Sequence, residues 1–304
     1  MSGAVAGRIS PPGSGAGAEL EAEGRPARRA GIHPSAVVDR TAEVDPTASV
    51  GPFCVVGRHV VIGPGVVLHS HVSVMERTTV GAGTAVFPFA VLGADPQDLK
   101  YRGEETELVI GERNTIREHA TLHRGTGVGG GRTTVGNDCL LMVGSHVAHD
   151  CVIEDEVILA NSVMLGGHCM IEHGAIIAGG AGIHHFATVG RLAFVGGLAR
   201  ISKDVPPFLV VEGNPAEPRK VNTTALVRRL WPVEQVEALR LAYKGLFRGE
   251  DPMATVIERL RSDHAQPEPV LALCDFLERM TQGVHGRWRE SLREKGAKKA
   301  PPKG

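Results

Sequence analysis

The chain has 304 residues, a formal net charge of −1 and an aromatic content of 4%. This length allows one or two domains, and the balanced charge gives no basic field that would attract nucleic acid. No run of about 18 apolar residues occurs, so we expect no membrane span.

Residues 1–30 come first in chain order and are rich in Gly, Ala, Pro and Arg. They lack the apolar segment of a signal peptide, and they hold too few large hydrophobic residues to form a core. We therefore predict a disordered leader over residues 1–30 and a cytoplasmic location for the protein.

A six-residue hydrophobic repeat begins at Ile32 and, apart from two interruptions, continues to Ile201. Such a period is typical of a parallel β-helix. Gly or an acidic residue often follows the repeated aliphatic residue, and Ala, Val, Thr or Cys often stands four positions after it. This pattern resembles the left-handed hexapeptide-repeat proteins, whose triangular coils have about 18 residues. We predict a mainly β protein with a left-handed parallel β-helix over residues 31–220 and a C-terminal α-helical domain. The repeated residues are Ile32, Val38, Val44, Val50, Val56, Ile62, Leu68, Val74, Val80, Val86, Leu92, Ile110, Ile116, Leu122, Val135, Leu141, Val147, Ile153, Leu159, Leu165, Ile171, Ile177, Ile183, Val189, Val195 and Ile201.

Residues three repeats apart should stack at the strand spacing of about 4.8 Å. One predicted column runs through Leu92, Leu122, Val147, Leu165, Ile183 and Ile201. Both interruptions of the repeat, residues 93–108 and 125–132, leave from this column, and histidines cluster beside it. Loops and titratable side chains on a rigid scaffold favour a functional site on this edge. The clustered histidines are His123, His146, His149, His168, His184 and His185.

Four of the five cysteines stand four positions after a repeated aliphatic residue, in the small inward slot of the repeat. We predict that they are buried, unreactive thiols, and the same holds for Cys274 in an apolar helical stretch. No Cys-x-x-Cys motif occurs, so a zinc ribbon or a thioredoxin-like site is not expected. The four cysteines are Cys54, Cys139, Cys151 and Cys169.

The hydrophobic period changes to roughly 3.6 after Val221, which predicts a helical domain over residues 221–285. We expect helices over residues 223–247, 251–263 and 267–282, which would cap the exposed end of the solenoid. Residues 286–304 contain seven Lys or Arg and two Glu. This composition predicts a disordered basic tail.

Six short segments carry a more specific resemblance. In chain order they are residues 97–101 (Gln-Asp-Leu-Lys-Tyr), 116–118, 122–126, 146–151, 159–161 and 213–215. They resemble the acyl-[acyl carrier protein]–UDP-N-acetylglucosamine O-acyltransferases, over about residues 31–285. The resemblance implies transfer of a 3-hydroxyacyl chain from acyl carrier protein to the 3-hydroxyl of UDP-N-acetylglucosamine, the first step of lipid A biosynthesis. It also implies a homotrimer with sites between subunits, and a reaction without a metal or other cofactor.

Three residues match the catalytic positions of that family. His149 matches the general base that takes the proton from the sugar hydroxyl, a task suited to a side chain that titrates near neutral pH. Asp150 matches the partner that orients this base, although neighbours on a strand point to opposite sides, so a turn is required. Gly167 matches the backbone N–H donor to the oxyanion and should stack directly on His149.

The resemblance assigns the remaining site residues to substrate binding. Asp98 and Lys100 match residues that hold the sugar nucleotide and the acyl chain. Gly197 matches the position that limits acyl length, where Gly admits a longer chain. Asn222 and Arg228 match positions near the diphosphate, with which Arg makes bidentate contacts. The histidines that match the lining of the cleft are His123, His146, His168 and His184.

Other functions remain open. A γ-type carbonic anhydrase shares the repeat, and His168 and His173 with His146 or His149 would form its Zn²⁺ site, although the 97–101 loop and the helices have no purpose there. The related N-acyltransferase has an additional folded N-terminal domain, for which residues 1–31 are too short. A non-catalytic scaffold would leave the histidines idle. The acyl length, a 3-hydroxyl or 3-amino acceptor, and the effect of His185, where several relatives have Gln, also stay open.

Overall fold

The computed structural model describes residues 30–297, and most of them form a three-sided prism of parallel β-strands. The predicted leader, except for residue 30, lies outside the described residues, as do residues 298–304. The coils wind left-handed, as the resemblance to the hexapeptide-repeat proteins implied. No helix between residues 30 and 297 has both the length and the apolar character that a membrane crossing needs.

Each side of the prism is one sheet, and we number the sheets as faces 1, 2 and 3 in the order in which the chain visits them. Face 1 consists of Gly31–Ile32, Ser49–Val50, Val67–Leu68, Ala85–Val86, Thr115–Ile116, Leu140–Leu141, Ile158–Leu159, Ile176–Ile177, Phe194–Val195, Leu209–Gly213 and Ala216–Val221. Face 2 consists of Val37–Val38, Val55–Val56, Ser73–Val74, Val91–Ala94, Thr121–His123, His146–Val147, Met164–Leu165, Gly182–Ile183 and Arg200–Ile201. Face 3 consists of Glu43–Val44, Val61–Ile62, Thr78–Val80, Glu107–Ile110, Arg132–Val135, Val152–Ile153, Met170–Ile171 and Thr188–Val189.

The strand register confirms the predicted column. On face 2, Leu122 pairs with Val147, and Val147 pairs in turn with Leu165. Leu92 pairs with Leu122 although 30 residues separate them, because the first insertion loops out after this pair; the register shifts only between Leu92 and Ala94. The interior of the prism is a stack of buried aliphatic side chains. All five cysteines are buried free thiols, as predicted.

The turns between faces have a recurrent backbone conformation. We name the three edges by the faces that they join: edge 1–2, edge 2–3 and edge 3–1. From Phe53 to Leu198, outside the two insertions, every sixth residue has a positive φ, for example Asp150 at 60°, Glu156 at 58° and Ser162 at 58°. This conformation costs a residue other than Gly about 1–2 kcal/mol, a cost that the strand hydrogen bonds and the core packing offset.

A hairpin and five helices follow the regular coils. The last two strands of face 1 pair antiparallel and form the hairpin. The helices are α1 Thr223–Arg228, α2 Val233–Arg248, α3 Met253–Ser262, α4 Glu268–Thr281 and α5 Trp288–Ala297. The predicted helix over residues 223–247 is wrong in its continuity. Leu230 has a φ of 56°, and Pro232, which lacks an N–H, forms the N-cap of α2.

The predicted disorder of residues 286–304 is also wrong where the structure describes them. Helix α5 spans Trp288–Ala297, and the segment before it is attached to the last coil. Asp204 accepts a hydrogen bond from the Trp288 N–H at 2.9 Å, and Arg287 donates to the Ser202 carbonyl at 2.5 Å. Local composition misled the prediction because the partners lie more than 80 residues earlier in the chain.

Candidate active site

The core of the site is a histidine–aspartate pair on edge 2–3. His149 and Asp150 lie in the turn that joins strands His146–Val147 and Val152–Ile153. The positive φ of Asp150 rotates its carboxylate back beside the preceding ring, so that His149 Nδ1 lies 2.7 Å from Asp150 Oδ2. Because both residues lie in a turn and not within a strand, their side chains lie side by side, whereas neighbours on a strand would point to opposite sides.

Thr126 holds the carboxylate of Asp150 from the opposite side. Its N–H donates to Oδ1 at 2.8 Å, and its hydroxyl donates to Oδ2 at 2.7 Å. Burial raises the pKa of Asp150, but the hydrogen bonds from His149 and Thr126 outweigh burial and lower it overall. An ionised carboxylate has only acceptors, so the proton of a neutral His149 ring resides on Nδ1 and leaves the Nε2 lone pair available.

The glycine-rich insertion, residues 125–132, makes this contact possible. It folds back over the turn, and the Gly129 N–H donates to the Thr126 hydroxyl at 3.1 Å. A Cβ at Gly129 would lie 2.1 Å from the Asp150 carboxylate carbon. Glycine is therefore required at position 129 for this close approach to Asp150.

Gly167 and His168 occupy the next coil above the pair. A Cβ at Gly167 would lie 2.6 Å from His149 Cε1 and 2.7 Å from Nε2, which confirms that Gly167 stacks on the ring. The His168 N–H donates to the His149 carbonyl at 2.9 Å, and His168 Nδ1 lies 3.8 Å from Asp150 Oδ2. Phe186 stacks on the His168 ring at 4.3 Å. Only a residue without a side chain at position 167 leaves the Nε2 side of His149 open.

His146 precedes His149 in the same coil, and His123 lies beside it in the coil below. Their rings meet edge to face at 4.9 Å, and His146 Nδ1 is 2.8 Å from the Thr121 hydroxyl. Burial lowers the pKa of His123 to about 4 and also lowers that of His146. Both rings are therefore neutral at pH 7. Within residues 30–297, the buried Nδ1 of His123 has no hydrogen-bond partner.

The first insertion brings Asp98 and Lys100 toward the same edge. Asp98 accepts the Lys100 N–H at 2.9 Å, and their charged groups lie 3.6 Å apart. The Lys100 N–H is the main cause that lowers the pKa of Asp98, and the charge of Lys100 also contributes. The root of this loop is held by Arg124, which is buried, donates to the Gly93 carbonyl at 3.1 Å and pairs with Asp95.

The other residues predicted for the site lie farther away within one chain. His184 is on edge 2–3, where its ring contacts that of His185 at 3.8 Å. Gly197 is on edge 1–2. Asn222 is buried, caps α1 and donates to the Leu192 carbonyl at 2.9 Å on edge 3–1. Arg228 is exposed near the end of α1. One chain thus gathers the three residues predicted to be catalytic but not the whole set predicted to bind substrate.

Three nearby groups have the chemistry of a metal site. Ligand atoms of His149, Asp150 and His168 all lie within 4.8 Å of one another. The set proposed for a hydratase is different, since His173 lies on edge 3–1 and contacts Glu156 and Arg229 instead of His168.

The chain is similar to known proteins over most of its length. The acyl-[acyl-carrier-protein]–UDP-N-acetylglucosamine O-acyltransferase of Anaeromyxobacter sp. (strain Fw109-5) is 49% identical over 253 residues, which cover 83% of this chain and 98% of that protein. This chain belongs to that family of acyltransferases.

Solved structures and family models agree with this assignment to the acyltransferase family. The UDP-N-acetylglucosamine acyltransferase of Francisella novicida is 36% identical, with a TM-score of 0.78, and covers 81% of this chain and 91% of its own. The enzyme of Bacteroides fragilis is 34% identical, with a TM-score of 0.79, over 81% and 96% of the two chains. A model of domain 2 of UDP-N-acetylglucosamine O-acyltransferase matches residues 204–285, and a bacterial transferase hexapeptide model matches residues 132–167.

Sequence reasoning missed several residues that support this acyltransferase site. Thr126 and Arg124 belong to the segment 122–126 that carried the resemblance, but their partners lie 24 residues or more away. Thr133, whose hydroxyl accepts the Asp150 N–H at 2.8 Å, gave no signal in the repeat. The run of glycines after Gly125 was the one available clue, since it indicates close backbone approach.

Proposed function

We propose that this acyltransferase moves a 3-hydroxyacyl chain from acyl carrier protein to the 3-hydroxyl of UDP-N-acetylglucosamine, the first step of lipid A biosynthesis. His149 is the general base. The observation that carries the proposal is the position of His149 between Asp150 and Gly167. Asp150 is ionised and accepts two hydrogen bonds from Thr126, and Gly167 presents only backbone atoms to the His149 ring.

The proposed reaction needs one proton shuttle. His149 Nε2 takes the proton of the sugar 3-hydroxyl as its oxygen attacks the thioester carbonyl. The Gly167 N–H, which no acceptor within residues 30–297 takes up, donates to the oxyanion that forms. When the C–S bond breaks, the imidazolium returns its proton to the leaving thiolate. Asp150 stabilises the imidazolium because its own pKa is lowered.

The neighbouring side chains bind the two substrates in this proposal. Asp98 and Lys100 are at the mouth of the site, where they reach hydroxyl and phosphate groups of the sugar nucleotide. His123 and His146 remain neutral at pH 7, so they hydrogen bond to substrate without adding charge. His168 and His184 line the cleft above the base.

The positions of Gly197, Asn222 and Arg228 support a homotrimer. They lie away from edge 2–3 within one chain, so they reach the acyl chain and the diphosphate only if a neighbouring subunit supplies them. We therefore propose sites between subunits of a cytoplasmic trimer. The proposed reaction uses a base and an N–H donor, and we propose that it requires no cofactor.

The experiment is turnover of UDP-N-acetylglucosamine with a panel of 3-hydroxyacyl carrier proteins, followed by mass spectrometry of the product. We expect a mass gain of one 3-hydroxyacyl group with the parent and loss of that product with His149→Ala. A 3-amino sugar nucleotide in parallel tests the acceptor atom. One Zn²⁺ per chain that is lost in His168→Ala, together with hydration of carbon dioxide, would instead support the hydratase.

A further inference from the structure

The segment from Gly286 to Ala297, here called the C-terminal arm, contains α5 and follows the last residue matched by the family model. It is attached to edge 2–3 through Asp204. The Asp204 carboxylate accepts the N–H groups of Thr188 at 2.7 Å and Trp288 at 2.9 Å. Its own N–H donates to the Gly286 carbonyl at 2.8 Å. The arm is therefore fixed to the coil by backbone and side-chain hydrogen bonds together.

Arg287 completes this attachment. Its side chain is buried, donates to the Ser202 carbonyl and pairs with Glu290 at 2.5 Å. The positive charge of Arg287 is thus neutralised inside the arm. Gly286 has a φ of +77°, and a Cβ there would lie 3.0 Å from Lys203 Cβ, so the chain passes close to the last turn of edge 2–3.

The arm reaches the catalytic edge through Arg289. Its Nε donates to the His168 carbonyl at 3.3 Å, and the His168 N–H in turn donates to the His149 carbonyl. The beginning of α5 therefore contacts His168, which in turn contacts the proposed base His149. This contact lies on the C-terminal side of the site.

Basic side chains gather at this place. Arg200 and Lys203 are exposed on the last strand of face 2 and the turn after it, and Arg289 is partly exposed. None of the three forms an ion pair with an acidic side chain in the part of the chain that the structure describes. The pairing of His146, Met164, Gly182 and Arg200 along face 2 puts Arg200 three coil steps, about 14 Å, from His146.

We propose that Arg200, Lys203 and Arg289 form a docking surface for an acidic face of the acyl carrier protein. The charge fits an acidic protein, and the location fits the protein that must deliver a thioester to His149 without entering the cleft itself. This inference rests on the proposed function, because the donor of that reaction is a protein. Charges at the rim of an interface act mainly on encounter and on its salt dependence.

The test compares a protein-bound donor with the same acyl thioester on free phosphopantetheine. The triple variant Arg200→Gln, Lys203→Gln, Arg289→Gln removes the charges, while Gln at 289 keeps an N–H for the His168 carbonyl. We expect about a tenfold rise in KM for the acyl carrier protein, an unchanged kcat and a KM within twofold for the free thioester. The parent KM for the carrier protein should rise with salt, and the variant should respond much less.

The matched control is Arg40→Gln, Lys220→Gln, Lys244→Gln, which removes three exposed charges elsewhere and should behave as the parent. Equal losses with both donors would show that the variant damages the site, and no loss with either would show that the carrier docks elsewhere. Both results overturn the docking surface. Binding of labelled holo carrier protein, measured by fluorescence anisotropy, separates the two proposals. Charge-dependent binding without turnover of either donor would leave the surface standing and contradict the proposed function.

Discussion

Histidines line edge 1–2 as well as edge 2–3, but in different surroundings. On edge 1–2, His71 and His119 alternate with Phe53 and Phe89 in an exposed ladder, with successive ring centroids 5.1, 5.0 and 5.2 Å apart. On edge 2–3, His149 lies beside a buried carboxylate and under a glycine. The rings on edge 1–2 are thus exposed to solvent, whereas His149 on edge 2–3 belongs to a network of polar contacts.

The insertions account for this difference. A regular turn has four residues and no loop packed over it, so the side chain at its corner, for example that of Phe53, faces outward. On edge 2–3 the loop 125–132 leaves the coil and returns over the next turn, where Thr126 contacts Asp150. A stacked histidine becomes a candidate base only when a neighbouring loop fixes the carboxylate that orients its ring.

The largest expected effect separates the two edges directly. His149→Ala should lower kcat by about 10²–10⁴-fold, since general-base catalysis contributes that much. The KM for the sugar nucleotide should change far less, because the role is in the transition state. His119→Ala is the control and should keep the parent rate. If His149→Ala retains more than about a tenth of kcat while His146→Ala is inactive, the base is misassigned.

The second prediction concerns the hydrogen bond from Thr126 to the Asp150 carboxylate. Thr126→Val deletes the hydroxyl that donates to Oδ2 and keeps the backbone donor. Hydrogen bonds to charged groups contribute about 1.5–3 kcal/mol, so we expect kcat to fall about ten- to a hundredfold with little change in KM. Thr126→Ser should restore most of the rate. A serine variant as slow as the valine variant would assign the effect to packing of the methyl group.

The third prediction concerns Gly197 on edge 1–2, which we propose faces the acyl chain bound by a neighbouring subunit. A Cβ at Gly197 would meet only the Gly179 carbonyl, at 3.5 Å, so Gly197→Met should leave the coil undisturbed. The added side chain should shift the kcat/KM preference toward shorter 3-hydroxyacyl donors by about tenfold. Leu198→Met, at an exposed neighbour, serves as control. An unchanged chain-length profile would remove Gly197 from the acyl groove.

Counting six-residue repeats predicted the coils and the edge that carries the candidate site, because both depend on short-range periodicity. The pairing of Leu122 with Val147 and the stacking of Gly167 on His149 follow directly from counting repeats. The same counting would have placed His71 beside Phe53 and Phe89, since these residues are 18 apart, but periodicity alone does not distinguish a solvent-exposed row from a site.

The contacts that complete the site depend on long-range geometry. Thr126 meets Asp150 only because the glycine-rich loop folds back, and no local pattern encodes that path. The C-terminal arm has a basic, polar composition, and this composition taken alone predicts disorder. Its order depends on Asp204, whose buried carboxylate receives the Thr188 and Trp288 N–H groups. Such partners become visible only after the coil has brought residues 204 and 288 together.

The smallest expected effect concerns stability in acid and again contrasts the two edges. Burial lowers the pKa of His123 to about 4, whereas an unfolded histidine titrates near 6.5. Between these values the unfolded chain binds the extra proton, so stability falls as the pH drops from about 6.5 toward 4. His123→Gln should remove roughly 1–3 kcal/mol of this acid sensitivity, seen as a smaller drop in Tm, by a few degrees, between pH 7 and pH 5. His146, whose pKa is also lowered by burial, should keep part of the slope. His119→Gln, on the exposed ladder, should follow the parent curve, and a His123→Gln curve parallel to the parent would contradict a buried neutral ring at this position.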